Sequence, residues 1–373
     1  MSIIALFVLM GEFTVHAGLG SDIYKAIRVW MGHMRGGLAM ATVGGCALFG
    51  CLTGSSVATV ATIGKVALPE MRRYRYEAGF ATGSIAAGGG LGMLIPPSMP
   101  LVVYGIITTT SIGKLLIAAI LPGVLLTVIY AIIINAHARL KPELAPSSSK
   151  ASRAERIEGI KGIWGVLFLF ILMIGGMYFG IFTPTEAAGV GTFGTLLFAL
   201  GRRRLTWRSF WDSLMVTLET NAMILLIIIG ASLFGSFLTV SKLPLSIVEL
   251  ISRLEVHPYL VLTVVIFCYL ILGCFMEALS MMLVTVPIVF PLIVRLGFDP
   301  IWFGIIILLG QEMAMISPPV GLNVYVMYAV AKDVPMYTIF RGITPFVLGL
   351  LVCFAILILF PQIALVLPNM MWR

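Results

Sequence analysis

Apolar stretches recur from one end of this chain to the other, most of them near the length of a bilayer crossing, with short polar or basic gaps between them. Segments 115–138, 162–182, 186–200, 213–240 and 340–367 read as transmembrane helices. Four others, 37–71, 78–110, 259–295 and 300–330, are apolar but interrupted by glycine, proline or small polar residues. Between 162–182 and 186–200 stands Thr183-Pro184-Thr185-Glu186, ordinary helix-start chemistry with a proline early and an acid in the first turn.

Charge orients these segments. Arg72-Arg73-Tyr74-Arg75, the linker-like stretch 139–161 and Gly201-Arg202-Arg203-Arg204 with Arg208 are basic, and all three belong on the cytoplasmic side. Even numbers of crossings separate them. The count closes only if 37–71 and 259–295 each enter and leave on one side, as re-entrant helical hairpins. Irregular backbone at membrane depth is tolerated only when buried in protein or lining a cavity.

The two hairpins are related. Gly50-Cys51-Leu52-Thr53-Gly54-Ser55-Ser56 aligns with Gly273-Cys274-Phe275-Met276-Glu277-Ala278-Leu279, and Ile95-Pro96-Pro97 with Ser317-Pro318-Pro319. The offset is 223 from Gly50 to Gly273 and 222 from Pro96 to Pro318. A near-constant offset across separate motifs marks a duplication, and hairpins opening from opposite sides make the copies inverted. Inverted repeats with paired broken helices point to a secondary transporter with its site near the midplane. Relative to its second half the chain is expected to be short by roughly two crossings, since only 3–15 stands ahead of His16.

Composition narrows the classes further. The chain of 373 residues is 60% hydrophobic and 11% charged, with a mean hydropathy of +1.08; soluble domains carry about 25% charged residues. That leaves room for roughly ten crossings and excludes a soluble enzyme, a nucleic-acid binder and a disordered scaffold. The net charge of +8 then reflects basic cytoplasmic loops. Cys46, Cys51, Cys268, Cys274 and Cys353 fall in apolar segments without ligand spacing and read as reduced core residues. No transition-metal site is expected, and His16, His33, His137 and His257 all fall near helix ends.

Several blocks together resemble the large membrane subunit of TRAP (tripartite ATP-independent periplasmic) transporters. They are Thr53-Gly54-Ser55-Ser56-Val57-Ala58 with Ile63-Gly64, Ile95-Pro96-Pro97-Ser98, Phe182-Thr183-Pro184-Thr185-Glu186-Ala187-Ala188, and Ser317-Pro318-Pro319-Val320-Gly321-Leu322-Asn323. The resemblance spans essentially the whole chain. It implies an all-α polytopic membrane protein, an inverted-repeat elevator-type transporter that imports carboxylate-bearing solutes with sodium across a bacterial inner membrane. It also implies two partners, a small four-helix membrane subunit and a periplasmic substrate-binding protein, and no cofactor beyond the coupling ion. The family usually carries more residues at the N-terminus, and aspartates where this chain has Thr59 and Glu277.

Sodium is a hard cation and must exchange its water shell for oxygens. Backbone carbonyls freed where helices stop supply them without a buried counter-charge. The first copy offers Thr53, Gly54, Ser55 and Ser56 with Gly92 and Pro96; the second offers Gly273, Met276 and Glu277 with Ser317, Pro319 and Gly321. Ser56, Ser98, Glu277 and Asn323 are placed to meet the solute. The bland readings are that Gly88, Gly89 and Gly90 serve close helix packing, and that membrane serines bond back to their own helices. Glu312, one turn before the second break, is expected to order it, and Glu12 to serve a scaffold contact.

Competing functions are a carrier that works without a binding protein, a channel, and an intramembrane hydrolase with Ser55 or Ser56 as nucleophile. The last lacks a base near the hairpin tip. The expected units are 1–36 (partial scaffold helix and arm), 37–112 (transport, first hairpin and broken helix), 113–258 (scaffold with the loop 139–161), 259–332 (transport, second hairpin and broken helix) and 333–373 (C-terminal scaffold helix).

Overall fold

The structure, a computed structural model, describes residues 2–148, 150–242, 246, 257–273 and 275–371. Among these residues there is no β-strand. The helices are α1 (Ser2–His16), α2 (Leu19–Met31), α3 (Gly37–Thr53), α4 (Ser56–Arg73), α5 (Ala78–Leu94), α6 (Met99–Thr108), α7 (Ile112–Ala118), α8 (Ile120–Leu140), α9 (Arg153–Tyr178), α10 (Pro184–Gly201) and α11 (Trp207–Ser241). They continue with α12 (Pro258–Leu272), α13 (Ala278–Arg295), α14 (Pro300–Ile316), α15 (Leu322–Val330), α16 (Met336–Leu359) and α17 (Gln362–Met370). Six described stretches are long and apolar enough to cross a membrane, seven if the bent pair α1–α2 counts as one, against the roughly ten that length alone allows.

Both hairpins and both broken helices are present: α3–α4 and α12–α13, then α5–α6 and α14–α15. The copies match in detail at an offset of 222. Glu77 caps α5 by accepting from the Gly79 and Phe80 amides, and Asp299 caps α14 by accepting from Ile301 and Trp302. One position off that register, at 223, Gly273 repeats Gly50: Gly50 lies against the backbone of Gly92, and Gly273 against Ala314. Each hairpin's returning arm crosses to the other copy: α4 packs on α15, and α13 on α6.

Three boundaries depart from the expected ones. Helix α9 begins inside the segment read as a linker, because Ser152 and Glu155 form a capping box. The last segment is not one helix: α16 ends at Leu359, and Pro361 precedes the short α17. The N-terminal stub is followed by an amphipathic helix, with α1 and α2 meeting at 67° over Gly18, whose φ of 68° suits glycine. Cys268 faces outward, while Cys46, Cys51 and Cys353 are buried; Cys274 lies outside the described residues.

Helix α1, which carries the half-buried Glu12, packs on α10 and α11, and Thr192 donates to the Leu6 carbonyl at 2.7 Å. Helix α2 buries Ile23 and Tyr24 and is tied on its polar side in two directions. Asp22 pairs with Arg202, which also donates to the Gly162 carbonyl, and Arg28 pairs with Glu70 on α4. Helices α8 and α16 pack against α5, and Gly342 of α16 faces the backbones of Gly79 and Gly83 with no room for a Cβ. Buried Trp302 donates to the Leu357 carbonyl at 2.8 Å and pins α14 to α16.

The start of α10 is a capping box, as its sequence suggests: Glu186 N–H donates to the Thr183 hydroxyl, and Thr183 N–H to the Glu186 carboxylate. Thr183→Ala should cost about 1 kcal/mol, read as a lower melting temperature of the purified protein. An unchanged melting curve would show that the box does not stabilise α10.

Candidate functional site: two hairpin tips against two broken helices

In the first copy α3 ends at Thr53, Gly54 turns the chain with φ 58°, and Ser55 caps α4, its hydroxyl accepting from the Ala58 amide at 3.3 Å. The Thr59 hydroxyl donates to the Ser55 carbonyl at 2.7 Å and lies 3.2 Å from that of Thr53. Opposite stands the break between α5 and α6. Pro96 and Pro97 have no N–H, so the carbonyls of Gly92 and Met93 cannot receive their helical bonds. Tip and break touch: a Cβ on Gly54 would stand 2.6 Å from the Pro97 carbonyl oxygen, and one on Gly92 would stand 3.0 Å from the Ser55 carbonyl oxygen. This copy thus gathers Thr53, Gly54, Ser55 and Gly92 with backbone and hydroxyl oxygens of Thr59 and Pro97. In this copy Thr53, Gly54, Ser56, Thr59 and every residue from Gly79 to Ser98 are buried, and Ser55 is half-buried.

The second copy is built alike but sits differently. Pro96-Pro97 and Pro318-Pro319 are both cis peptides. Glu277 caps α13, its carboxylate accepting from the Leu279 amide at 3.0 Å and the Ser280 amide at 3.4 Å. That places Glu277 opposite Ser55 in the repeat, one position from the alignment on Gly54. The reason is that α12 stops at Leu272, a turn sooner than α3 does, so its connection spans 273–277 where the first needs only Gly54 and Ser55. Gln311 donates to the Ala278 carbonyl at 2.8 Å and holds the start of α13 on α14. Met276 and Ser317 are half-buried, Gly321 is buried, and Glu277, Pro318, Pro319 and Val320 are exposed.

The residues assigned to the solute fall in both copies. Ser56 donates to Met315 sulfur at 3.4 Å, so the first tip touches the end of α14. Asn323 Nδ2 donates to the Ala86 carbonyl at 3.3 Å, and its Oδ1 and the Ser98 hydroxyl are buried without a hydrogen-bond partner. Pro97 and Gln311 were not among the expected site residues, and Thr59 was noted only for the aspartate the family carries there. Thr59 was legible as the residue one turn after a serine cap, where a hydroxyl reaches back to the i−4 carbonyl. Among the described residues no group of three His, Cys, Asp or Glu side chains could hold a metal ion.

A family model described as "Tripartite ATP-independent periplasmic transporter, DctM component" matches residues 1–363. The chain belongs to the DctM family of TRAP transporters. It is similar to the C4-dicarboxylate TRAP transporter large permease protein DctM of Pseudomonas aeruginosa, 39% identical over 98% of this chain and 85% of that one. It is also similar to the sialic acid TRAP transporter large permease protein SiaM of Vibrio cholerae, 32% identical over 98% and 86%. The YdaH transporter of Alcanivorax borkumensis shares the fold, with a TM-score of 0.53 at 14% identity over 98% of this chain and 84% of that one. This DctM-family chain is therefore a multi-pass transporter permease and not an enzyme, and Ser55 and Ser56 are hairpin residues rather than nucleophiles.

Proposed function

We propose that this chain is the carrier subunit of a sodium-coupled importer of small organic acids in a bacterial inner membrane. In this reading it works with a small four-helix membrane subunit and receives solute from a periplasmic binding protein. The observation that carries it is the first tip closed on the first break, where carbonyl and hydroxyl oxygens of Thr53, Gly54, Ser55, Thr59, Gly92 and Pro97 converge without a basic or acidic side chain. Such a site suits a hard monovalent cation and little else. Pro96 and Ser56 complete it, and Gly273, Met276, Glu277, Ser317, Pro319 and Gly321 form its counterpart. Ser56, Ser98, Glu277 and Asn323 meet the solute, with the Ser98 hydroxyl free to donate to a carboxylate. Carboxylates are the solute class because two relatives are named for C4-dicarboxylates and sialic acid.

The mobile unit in this elevator consists of α3–α6 and α12–α15, carrying α8 and α16 with it. The expected limits left 113–258 and 333–373 wholly in the scaffold. The backbone-close packing of Gly342 on Gly79 and Gly83 argues for the larger unit, because sliding there would have to undo it. Helices α1 and α9–α11 remain as the scaffold. A cavity of about 850 Å³ between α11 and the pair α6, α13 supports drawing the boundary between the two units there.

With both partners in sealed vesicles, an inward sodium gradient should drive uptake of a labelled C4-dicarboxylate, and lithium or a pH gradient should substitute poorly. Equal uptake on a pH gradient without sodium would sink the sodium assignment. Undiminished uptake without the binding protein would instead favour a carrier that works alone.

A further inference from the structure

The proposed coupling sites leave one buried acid unused. Glu312 on α14 is fully buried, and neither carboxyl oxygen has a hydrogen-bond partner. An unpaired carboxylate at such a place costs several kcal/mol, so something has to neutralise it.

Its surroundings come from three other helices. Helix α5 supplies Gly90, and the space its missing side chain leaves is what Glu312 fills: a Cβ there would stand 2.6 Å from Glu312 Cγ. Helix α8 supplies Tyr130, whose buried hydroxyl also lacks a partner, and α16 supplies Cys353; both lie within electrostatic reach of the carboxyl. No charged group among the described residues compensates it. The location has a reason in the repeat. Gly90 and Glu312 are separated by the same 222 positions as the caps and the proline pairs. Two equivalent positions in contact lie on the axis relating the copies, where side chains from both could not fit. One copy carries glycine there and the other the acid.

The number of oxygens decides what neutralises it. Hard metal cations take about six oxygen ligands, and here neither carboxyl oxygen has even one hydrogen-bonding group within reach. A proton needs one oxygen. We propose that Glu312 binds a proton and retains it throughout the transport cycle, a resident neutral acid on the internal axis of the repeat. The proton is held, not exchanged, so the charge that moves with solute is set elsewhere. This stands on the geometry around Gly90 and does not depend on which ion occupies the hairpin sites.

Infrared difference spectroscopy in bilayers reads the proton without any transport. Wild type should show a protonated-carboxyl band that E312Q lacks, and the band should not respond to sodium or to pH between about 5 and 7. In vesicles with both partners, E312Q should transport within about twofold of wild type, with the same charge moved per solute. A wild type without that band, or with a band that vanishes on sodium addition, overturns the proposal. So does a folded, abundant E312Q that moves a different charge per solute. Should E312Q not fold, Glu312→Met keeps the length and neutrality. If neither neutral variant folds while Glu312→Asp does, the group is ionised and the proposal falls.

Discussion

Gly54→Ala should abolish sodium-driven uptake at ordinary solute and sodium concentrations while leaving the protein in the membrane. Gly54 adopts φ 58°, a conformation that costs an L-residue roughly 1–2 kcal/mol. The added methyl would also stand 2.6 Å from the carbonyl oxygen of Pro97, a backbone atom that no rotamer change can move aside. The tip must lift from the break, and the oxygens on its two sides separate. A loss of about 1.4 kcal/mol in ion binding is already tenfold in affinity, so the sodium dependence of uptake should shift at least that far. Gly175→Ala is the matching control, because a methyl there meets nothing within 4 Å. Equal sodium titrations for Gly54→Ala and Gly175→Ala would show that tip and break do not form the ion site.

Gly342→Ala should act on stability instead. Its methyl would drive into the Gly79 backbone where α5 and α16 cross, and overpacking of this kind typically costs about 1–3 kcal/mol. Two whole helices have to move, so the upper end of that range applies, and a clear fall in melting temperature and membrane abundance is expected. Gly230→Ala, in a helix with open space around it, should be neutral or slightly stabilising. A Gly342→Ala protein that melts with wild type would mean the two helices are not in backbone contact, and would remove the reason for moving α16 with the hairpins.

How far the sequence shows these features depends on how local their causes are. Both breaks were legible because Pro96-Pro97 and Pro318-Pro319 delete donors wherever they fold, and the first tip because Gly54 and Ser55 carry turn and cap chemistry within two residues. The start of α9 was equally local, a Ser152-x-x-Glu155 box hidden inside a basic stretch that reads as linker by composition. The second tip misled by one position because nothing in Cys274-Phe275-Met276 signals that α12 ends a turn early. The Gly50–Gly92 and Gly342–Gly79 approaches depend on how distant helices cross, which spacing within one helix does not encode. Glu312 was visible as an intramembrane acid. Its neighbour Gly90 was visible only as part of a glycine run, and the meaning of the pair emerges once the two copies are laid on each other.

The unequal burial of the two breaks has a kinetic consequence. The first lies under the tip at Gly54, and Gly11 of α1 stands behind Thr53, so its contents are shut in from both sides. The second ends in exposed Pro318, Pro319 and Val320 and needs no such opening. If the proposed function holds, an ion at the second break would exchange without a hairpin moving. One at the first would wait for the tip to lift, so two sites of common ancestry would fill and empty on different clocks.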